Sequence, residues 1–225
     1  MEVFNWLVDF LLHIDTHLEE IVRNYQHWTY AILFLIIFAE TGFVVTPFLP
    51  GDSLLFAMGA LIAGGNTGLS IWVMMLLLIA AAILGNTLNY KLGGLLGIKV
   101  FKEKNRILKL EYYNQSHLFF EKHGGKAIIF SRFLPIFRTI APFVAGVAKM
   151  PFARFTFFNI IGGVAWIVSL LMAGYLLGQI PVVKKNFDLV IVVIAVVTFF
   201  PAIFAAIKAK LKKKPATDNA DIPVS

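Results

Sequence analysis

Four charged side chains lie in stretches of the sequence that are otherwise strongly apolar. Glu40 and Asp52 belong to the segment AILFLIIFAETGFVVTPFLPGD, and Arg132 and Arg138 belong to KAIIFSRFLPIFRTIAPFVAG. An ionisable group inside a bilayer is costly and persists mainly where it faces a partner, a cavity or a substrate. These four residues are therefore the first candidates for a functional site.

The two arginines indicate an anionic ligand. Arg132 and Arg138 flank Pro135, so a break in the helix there could turn both guanidinium groups toward one cavity. The planar guanidinium matches phosphate or carboxylate through its fork of donors. We therefore predict that both arginines bind substrate. The alternative is that each is a structural counter-ion of Glu40 or Asp52.

The two acids are candidates for proton coupling. Burial disfavours an ionised carboxyl and a nearby arginine favours it, so a carboxyl that alternates between the two environments can carry a proton. Glu40 and Asp52 flank a Pro-x-x-Pro-Gly break and could do so. A static buried salt bridge is the alternative. For Asp52, a role as N-cap of a helix beginning at Ser53 is a further alternative.

The composition indicates a membrane protein. Of 225 residues, 59% are hydrophobic and only 15% are charged, and the net charge of +7 comes largely from Lys/Arg clusters outside the apolar stretches. Nucleic acid is not an expected partner. The absence of cysteine excludes disulfides, thiolate metal sites and catalytic thiols. We expect neither a cofactor nor a resident metal.

The apolar stretches predict an all-α polytopic protein with a single integral domain over residues 1–208 and a disordered basic tail over 209–225. Stretches of about 20 apolar residues are long enough to span a bilayer, whereas proline and glycine interrupt the other three, at 29–49, 53–63 and 127–148. The predicted elements are an interfacial helix (1–28), a re-entrant helical hairpin (29–64), a transmembrane helix (70–97), a cytoplasmic amphipathic segment (99–126), a second re-entrant hairpin (127–150) and two further transmembrane helices (155–178 and 187–207).

The hairpin breaks and the distribution of charge define the predicted topology. The residues predicted to break the hairpins are Pro47, Pro50 and Gly51 in the first and Pro135, Pro142 and Gly146 in the second. Basic clusters in 99–126 and after 207 are expected to be cytoplasmic, and two spans fit between them. The second hairpin then enters and leaves from the cytoplasmic side, and the first enters from the opposite face.

The two halves of the sequence also resemble each other. The segment Pro47-Phe48-Leu49-Pro50-Gly51 is similar to Pro142-Phe143-Val144-Ala145-Gly146, and Tyr90-Lys91-Leu92-Gly93 is similar to Tyr175-Leu176-Leu177-Gly178. Together with opposed hairpins, this similarity predicts an inverted repeat. In such transporters the broken half-helices meet near the midplane of the membrane and form the binding site.

Several other polar or aromatic residues have structural interpretations. Asn86 and Asn89 share a helix face, which favours interhelical hydrogen bonding over substrate contact. The tryptophans are interpreted as interface anchors or packing residues. Four N-terminal residues have a spacing that is also compatible with a metal site: Asp9, His13, His17 and Glu20. The polar face of an interfacial helix explains them without a metal. The chain also lacks HExxH, a P-loop and a Ser/His/Asp arrangement, so we do not expect an enzyme.

A set of motifs resembles the DedA family of bacterial inner-membrane proteins, within the VTT/SNARE-associated superfamily. The motifs are Glu40-Thr41-Gly42, Pro47 to Leu54, Phe130 to Pro135, Arg138-Thr139, Pro142, Ala145-Gly146, and Phe155, Asn159, Gly162 and Trp166. The resemblance implies two opposed re-entrant hairpins in a multi-pass protein of the inner membrane. It also implies transport of lipid phosphates such as undecaprenyl phosphate, linked to the proton motive force and dependent on the two acids and two arginines. The chain departs from the family pattern at Gly85-Asn86 and Gly93-Gly94, where Gly-Asp and Gly-Arg are common.

We therefore expect a flippase or scramblase of lipid phosphates whose partners are membrane phospholipids, polyprenyl phosphate and protons. A proton- or cation-coupled antiporter of small solutes and a non-transporting membrane scaffold are the alternatives. Association of several copies of the chain is left open by the sequence.

Overall fold

The computed structural model describes residues 27–43, 51–65, 67–97 and 123–181, together with positions 22, 24, 25 and 118. These residues form helices and turns, with no strand among them. The helices are α1 (Trp28–Gly42), α2 (Gly51–Ala63), α3 (Ile71–Leu96), α4 (Lys126–Ser131), α5 (Pro135–Val147) and α6 (Phe152–Leu177). The predicted all-helical class is confirmed for this part of the chain.

Some of the predicted elements lie outside the described residues. They are nearly all of the interfacial helix, most of the cytoplasmic segment, the span over 187–207 and the tail over 209–225. Pro47 and Pro50 also lie outside. All of these remain predictions.

Two helices, α3 and α6, are long and apolar enough to cross a membrane. Each has 26 residues, and at 1.5 Å per residue each is about 39 Å long, against a hydrocarbon core of about 30 Å. Fewer than half of the residues in the most apolar part of each helix are buried. Large apolar side chains such as Leu76 and Phe157 point outward, as expected for helices that contact lipid.

Two shorter helices, α1 and α2, precede α3, and α1 packs along α3. The backbone N–H of Ser70, just before α3, donates to the Tyr30 hydroxyl at the start of α1 over 2.7 Å. At the other end of α1, the carbonyl of Thr41 accepts from Asn89 of α3 over 3.1 Å. From α2, the short segment 64–70 leads directly back to the start of α3. The chain from α1 to α2 therefore begins and ends at the same end of α3.

The other two helices, α4 and α5, approach from the opposite end of α3. Arg132, at the end of α4, donates to the carbonyl of Ala82 in the middle of α3. After α5, the carbonyl of Met150 accepts from the Tyr90 hydroxyl near the end of α3. The rings of Tyr90 and Phe155 stack with centroids 4.3 Å apart. The chain from α4 to α5 thus reaches the middle of α3 and returns to the end of α3, where α6 begins.

The break between α4 and α5 follows from Pro135. Leu134 has an extended backbone (φ −119°, ψ 111°), and Pro135 occupies the first turn of α5. A residue before proline disfavours the helical conformation, whereas proline itself suits the first helical position. Pro142 and Gly146, which the sequence analysis also predicted as breaks, instead lie inside α5. Proline there removes only one helical hydrogen bond, which surrounding protein can tolerate.

Glycines allow two pairs of helices to approach backbone to backbone. An added Cβ at Gly93 of α3 would overlap the backbone of Phe143 in α5, and one at Gly146 of α5 would overlap the carbonyl of Tyr90. The same holds between α2 and α6, where Gly59 packs against the backbone of Leu171 and Gly174 against that of Phe56. Small residues of this kind stabilise helix contacts in membranes, where the hydrophobic effect does not drive them.

The close contact between α3 and α5 predicts different effects at two adjacent glycines. A Cβ at Gly93 would overlap backbone atoms, whereas one at Gly94 would lie an ordinary 3.6 Å from the carbonyl of Gly146. We expect Gly93→Ala to destabilise the protein by about 1–3 kcal/mol. Gly94→Ala should be neutral or stabilise by up to about 1 kcal/mol through helix propensity. Thermal unfolding in detergent, followed by tryptophan fluorescence, measures both. Equal unfolding temperatures for the two variants would contradict the backbone contact.

Candidate functional site

One guanidinium joins the ends of three helices. Arg138, near the start of α5, donates through Nη1 to Asp52 Oδ1 over 2.7 Å, and its Nη2 forms an ion pair with Glu40 Oε1. Arg138, Glu40 and Asp52 are 4%, 0% and 8% exposed. The end of α1 and the start of α2 are therefore held together by an arginine from the second half of the chain.

Helix boundaries bring the two acids together. Glu40 lies in the last turn of α1, and α2 begins at Gly51. The Glu40 carboxylate lies so close to Gly51 that a Cβ at this position would overlap it, which explains glycine here. Asp52 lies inside the first turn of α2 rather than at an N-cap, so that alternative is not supported. A carboxylate in the first turn still interacts favourably with the helix dipole.

Trp166 contacts three of the four charged residues. Its Nε1 donates to Asp52 Oδ1 over 2.9 Å. The Cζ atoms of Arg138 and Arg132 lie 5.5 Å and 5.9 Å from the centroid of its ring, within the range of cation–π interaction. The side chain is almost fully buried. Trp166 therefore links the acidic and basic parts of the site.

Sequence reasoning missed the role of Trp166, although its position contained a signal. Tryptophans that anchor a helix at the membrane surface lie near its ends. Trp28 and Trp72, at the starts of α1 and α3, are strongly exposed and fit that pattern. Trp166 lies in the middle of a predicted span, where an anchor is not expected.

Arg132 has neutral partners. Its Nη2 donates to Asn159 Oδ1 over 2.6 Å and lies within 3.4 Å of the carbonyls of Ala82 and Asn159. Within the described part of the chain it forms no ion pair, and its Nε has no hydrogen-bond partner. The counter-ion alternative therefore describes the geometry of Arg138 but not that of Arg132. Arg132 is nonetheless only 2% exposed.

Glycines of α6 provide the space for the Arg132 side chain. A Cβ at Gly162 would lie 3.1 Å from Arg132 Cδ, and one at Gly163 would lie 3.4 Å from its Nη2. The first distance is short for a real Cβ, and the second is at the lower limit of ordinary van der Waals contact. The Arg132 side chain therefore lies along a face of α6 that lacks side chains.

Buried asparagines connect the helices around the arginines. Asn86 of α3 donates to Asn159 Oδ1 over 3.2 Å, and Asn159 donates to the Ile83 carbonyl over 3.1 Å. Asn89 donates to the carbonyls of Thr41 and Thr139 over 3.1 Å and 2.7 Å. The interhelical role predicted for Asn86 and Asn89 agrees with these contacts. Asn159 received no role from the sequence, yet it is the main partner of Arg132.

The cluster lies near the middle of both long helices. Ala82 and Asn86 belong to the central part of α3, and Trp166 is close to the midpoint of α6. If α3 and α6 cross a bilayer, the charged groups are far from both surfaces. Among the described residues, no group of His, Asp or Glu side chains could hold a metal ion.

The predicted site residues that the structure describes therefore divide into three groups. Glu40, Asp52 and Arg138 are in direct contact, and Arg132 joins them through the Trp166 ring. Gly51 and Pro135 set the helix boundaries beside them. Pro142 and Gly146 lie further along α5, and Gly146 contributes to its contact with α3.

Comparisons with known proteins identify relatives of the chain among bacterial membrane proteins. The family model described as the VTT domain matches residues 49–176. The chain is 49% identical to Protein DedA of Escherichia coli K12 over 211 residues, which cover 93% of the chain and 96% of that protein. It is 39% identical over 193 residues to an uncharacterized membrane protein of Mycobacterium tuberculosis, covering 85% of each chain.

A further relative is Inner membrane protein YqjA of Escherichia coli, which is 40% identical over 160 residues, covering 71% of the chain and 72% of that protein. No solved structure matches the chain. The VTT match covers more than half of the sequence, and the identity to Protein DedA extends over almost all of it. The chain therefore belongs to the DedA family of membrane proteins.

Proposed function

We propose that this protein is a transporter of the bacterial inner membrane, a flippase or scramblase of lipid phosphates such as undecaprenyl phosphate, linked to the proton motive force. The observation that carries the proposal is the pair of buried guanidinium groups at mid-height of two membrane-length helices. Arg132 has only neutral partners in the described residues. A phosphate head group is the ligand that such a pair suits best.

The surroundings of the arginines support an anionic lipid over a neutral solute. A buried guanidinium without a carboxylate partner is costly, and an anion would lower that cost. Arg132 Nε is a buried donor with no partner in the described part of the chain. Outward apolar side chains on α3 and α6 suit a lipid tail that stays in the bilayer while its head group enters the protein.

We further propose that α1 with α2, and α4 with α5, are re-entrant hairpins that enter from opposite faces. With 15, 13 and 13 residues, α1, α2 and α5 are only about 20–23 Å long, which is too short for about 30 Å of hydrocarbon. The contact of α1 with the start of α3, the short link from α2 to the same end, and the packing of α5 against the end of α3 support opposite entry. Irregular backbone such as 132–134 is tolerated at this depth when it is buried in protein.

Paired glycine contacts support an inverted repeat. In each half, a short helix packs on the long helix of the other half, α2 on α6 and α5 on α3. Phe56 and Gly59 of α2 correspond to Phe143 and Gly146 of α5, with the same separation in sequence for both pairs. This correspondence differs from the one that the Pro47 to Gly51 similarity suggested. Repeats of this kind place a binding site where the half-helices meet.

The acids supply a route for proton linkage. Glu40 and Asp52 both engage Arg138, so protonating a carboxyl would weaken its hold on the guanidinium. Arg138 would then be available to a phosphate group. A ligand shifts such an equilibrium only by binding the two states differently, and a phosphate does so here through its charge.

Reconstitution tests the proposal directly. Purified protein in liposomes should accelerate the translocation of labelled undecaprenyl phosphate relative to protein-free liposomes, and an imposed pH gradient should change the rate. Labelled undecaprenol, which lacks the phosphate, should not respond to the protein. Exchange of small cations for protons without lipid movement would favour the antiporter, and no transport of either kind would favour a scaffold.

Arg138→Lys tests recognition by the planar guanidinium. Lysine retains the positive charge but cannot donate to two partners through a planar fork. A hydrogen bond to a charged group contributes about 1.5–3 kcal/mol, so translocation should fall by about ten- to a hundredfold. Arg154→Lys, at an exposed position of α6, is the matched control and should leave the rate unchanged. A fully active Arg138→Lys protein would reduce Arg138 to a generic positive charge.

Cysteine labelling tests the re-entrant topology, because the native chain has no cysteine. Single cysteines at Lys126 and Pro151, which flank the second proposed hairpin and are exposed, should react with an impermeant thiol reagent from the same side of the membrane. A cysteine at the exposed Ser70 should react from the other side. Opposite sides for positions 126 and 151 would mean that this segment crosses the membrane.

A further inference from the structure

The charges of the site balance in the structure. When all four groups are ionised, Glu40 and Asp52 carry the same total charge as Arg132 and Arg138, with opposite sign. All four are buried, and neutral groups also lie against them: Asn159, Trp166 and the carbonyl of Ala82. A net charge in so apolar an environment is costly. The four charges therefore cancel one another in the resting site, and a change in any of them must be compensated.

An incoming phosphate disturbs this balance. A monoanion that enters the neutral site gives it one net negative charge unless another charge enters or leaves. The arginines cannot compensate, because they are already positive. A proton taken up by one of the carboxylates restores neutrality, and it also frees a guanidinium for the phosphate.

The two carboxylates differ in what holds them. Asp52 Oδ1 accepts from two side-chain donors, Arg138 Nη1 at 2.7 Å and Trp166 Nε1 at 2.9 Å. Glu40 interacts with one side-chain donor, Arg138 Nη2, and also accepts a hydrogen bond from the backbone of Gly51. Protonating Asp52 would leave two donors facing a neutral oxygen, whereas protonating Glu40 weakens one ion pair. Glu40 is therefore the carboxylate that gives up its arginine more readily.

We propose that the site takes up its anionic ligand together with protons, one for each negative charge of the ligand, and that Glu40 accepts the first. The inference rests on the lipid-phosphate function proposed above and specifies how that function is coupled. In the bound state the Glu40 carboxyl is neutral, the phosphate contacts Arg138 Nη2 and the neighbouring Arg132, and Asp52 remains with Arg138 Nη1 and Trp166. The net charge of the site is the same before and after binding.

The charged and polar side chains near Glu40 come from the helices packed around it. Asp52 of α2 and Arg138 of α5 are the charged ones, and Arg132 at the end of α4 lies against the same Trp166 ring as Arg138. The buried polar side chains that α3 and α6 contribute to this region are neutral: Asn86, Asn89, Asn159 and Trp166. The balance therefore depends on the four named charges.

Calorimetric titration of the full-length protein in nanodiscs tests the proposal. The probe is dihexyl phosphate, a diester that keeps a single negative charge throughout the neutral pH range. Trihexyl phosphate is its uncharged control. Titrations at one pH in two buffers with different heats of protonation give the number of protons taken up. We expect about one proton per bound probe, and a Kd that rises about tenfold per pH unit where Glu40 of the free protein is ionised.

Variants separate the roles of the charges. Glu40→Gln fixes the neutral state, so it should bind dihexyl phosphate with no proton uptake and with a Kd independent of pH. Arg132→Gln removes a positive charge and should weaken binding at least tenfold, whereas Arg154→Gln removes an exposed one and should bind as the native protein does. Size exclusion and thermal unfolding check that each variant folds, and the proton count of the native protein does not depend on any variant.

The outcomes distinguish the inference from the function on which it rests. Binding of dihexyl phosphate to the native protein without proton uptake would overturn the coupling and leave phosphate recognition intact. Proton uptake that persists in Glu40→Gln would overturn the assignment to Glu40. Equal binding of trihexyl phosphate, or no binding of dihexyl phosphate, would contradict the proposed lipid-phosphate function itself.

Discussion

The contact of the Arg138 guanidinium with Glu40 and Asp52 is the interaction on which the arrangement of the helices depends. It joins the end of α1 and the start of α2, from the first half of the chain, to the start of α5, from the second half. The ends of these three helices meet at the site. Such ends are stable at this depth only when side chains of the protein surround them and satisfy their polar groups.

Buried ion pairs do not by themselves make a protein more stable. The cost of removing two charges from water can exceed their mutual attraction, and well-packed apolar residues often stabilise as much or more. The close backbone contacts at Gly59, Gly93, Gly146 and Gly174 are the better explanation for how these helices hold together. A charged cluster that is retained despite its cost, at the centre of two membrane-length helices, is more readily explained by function.

The sequence predicted the main chemistry of the site because charge inside an apolar stretch is easily recognised. Glu40, Asp52, Arg132 and Arg138 were identified in this way, as were the helical class and the break before Pro135. The pairing could not be predicted, since it depends on how helices far apart in sequence meet. Both acids engage Arg138, and Arg132 is bound by Asn159 instead.

Other features were missed for similar reasons. Trp166 and Asn159 look like ordinary residues of an apolar helix, and their roles become apparent only from their contacts. Pro142 and Gly146 are strong helix breakers in water, yet α5 continues through both. Local propensity is outweighed there by the packing of α5 against α3.

A double-mutant cycle between Glu40 and Arg138 tests most directly whether this ion pair joins the two halves. The unfolding temperatures of the native protein, Glu40→Gln, Arg138→Gln and the double variant are compared in one detergent. If the side chains interact as described, Glu40→Gln leaves Arg138 with Asp52 as its carboxylate, and Arg138→Gln leaves Glu40 and Asp52 without the guanidinium. The double variant should then be more stable than the sum of the two single effects implies, by about 0.5–3 kcal/mol. Additive effects would contradict a direct interaction between Glu40 and Arg138, and with it the joining of α1 to α5 at the centre of the protein.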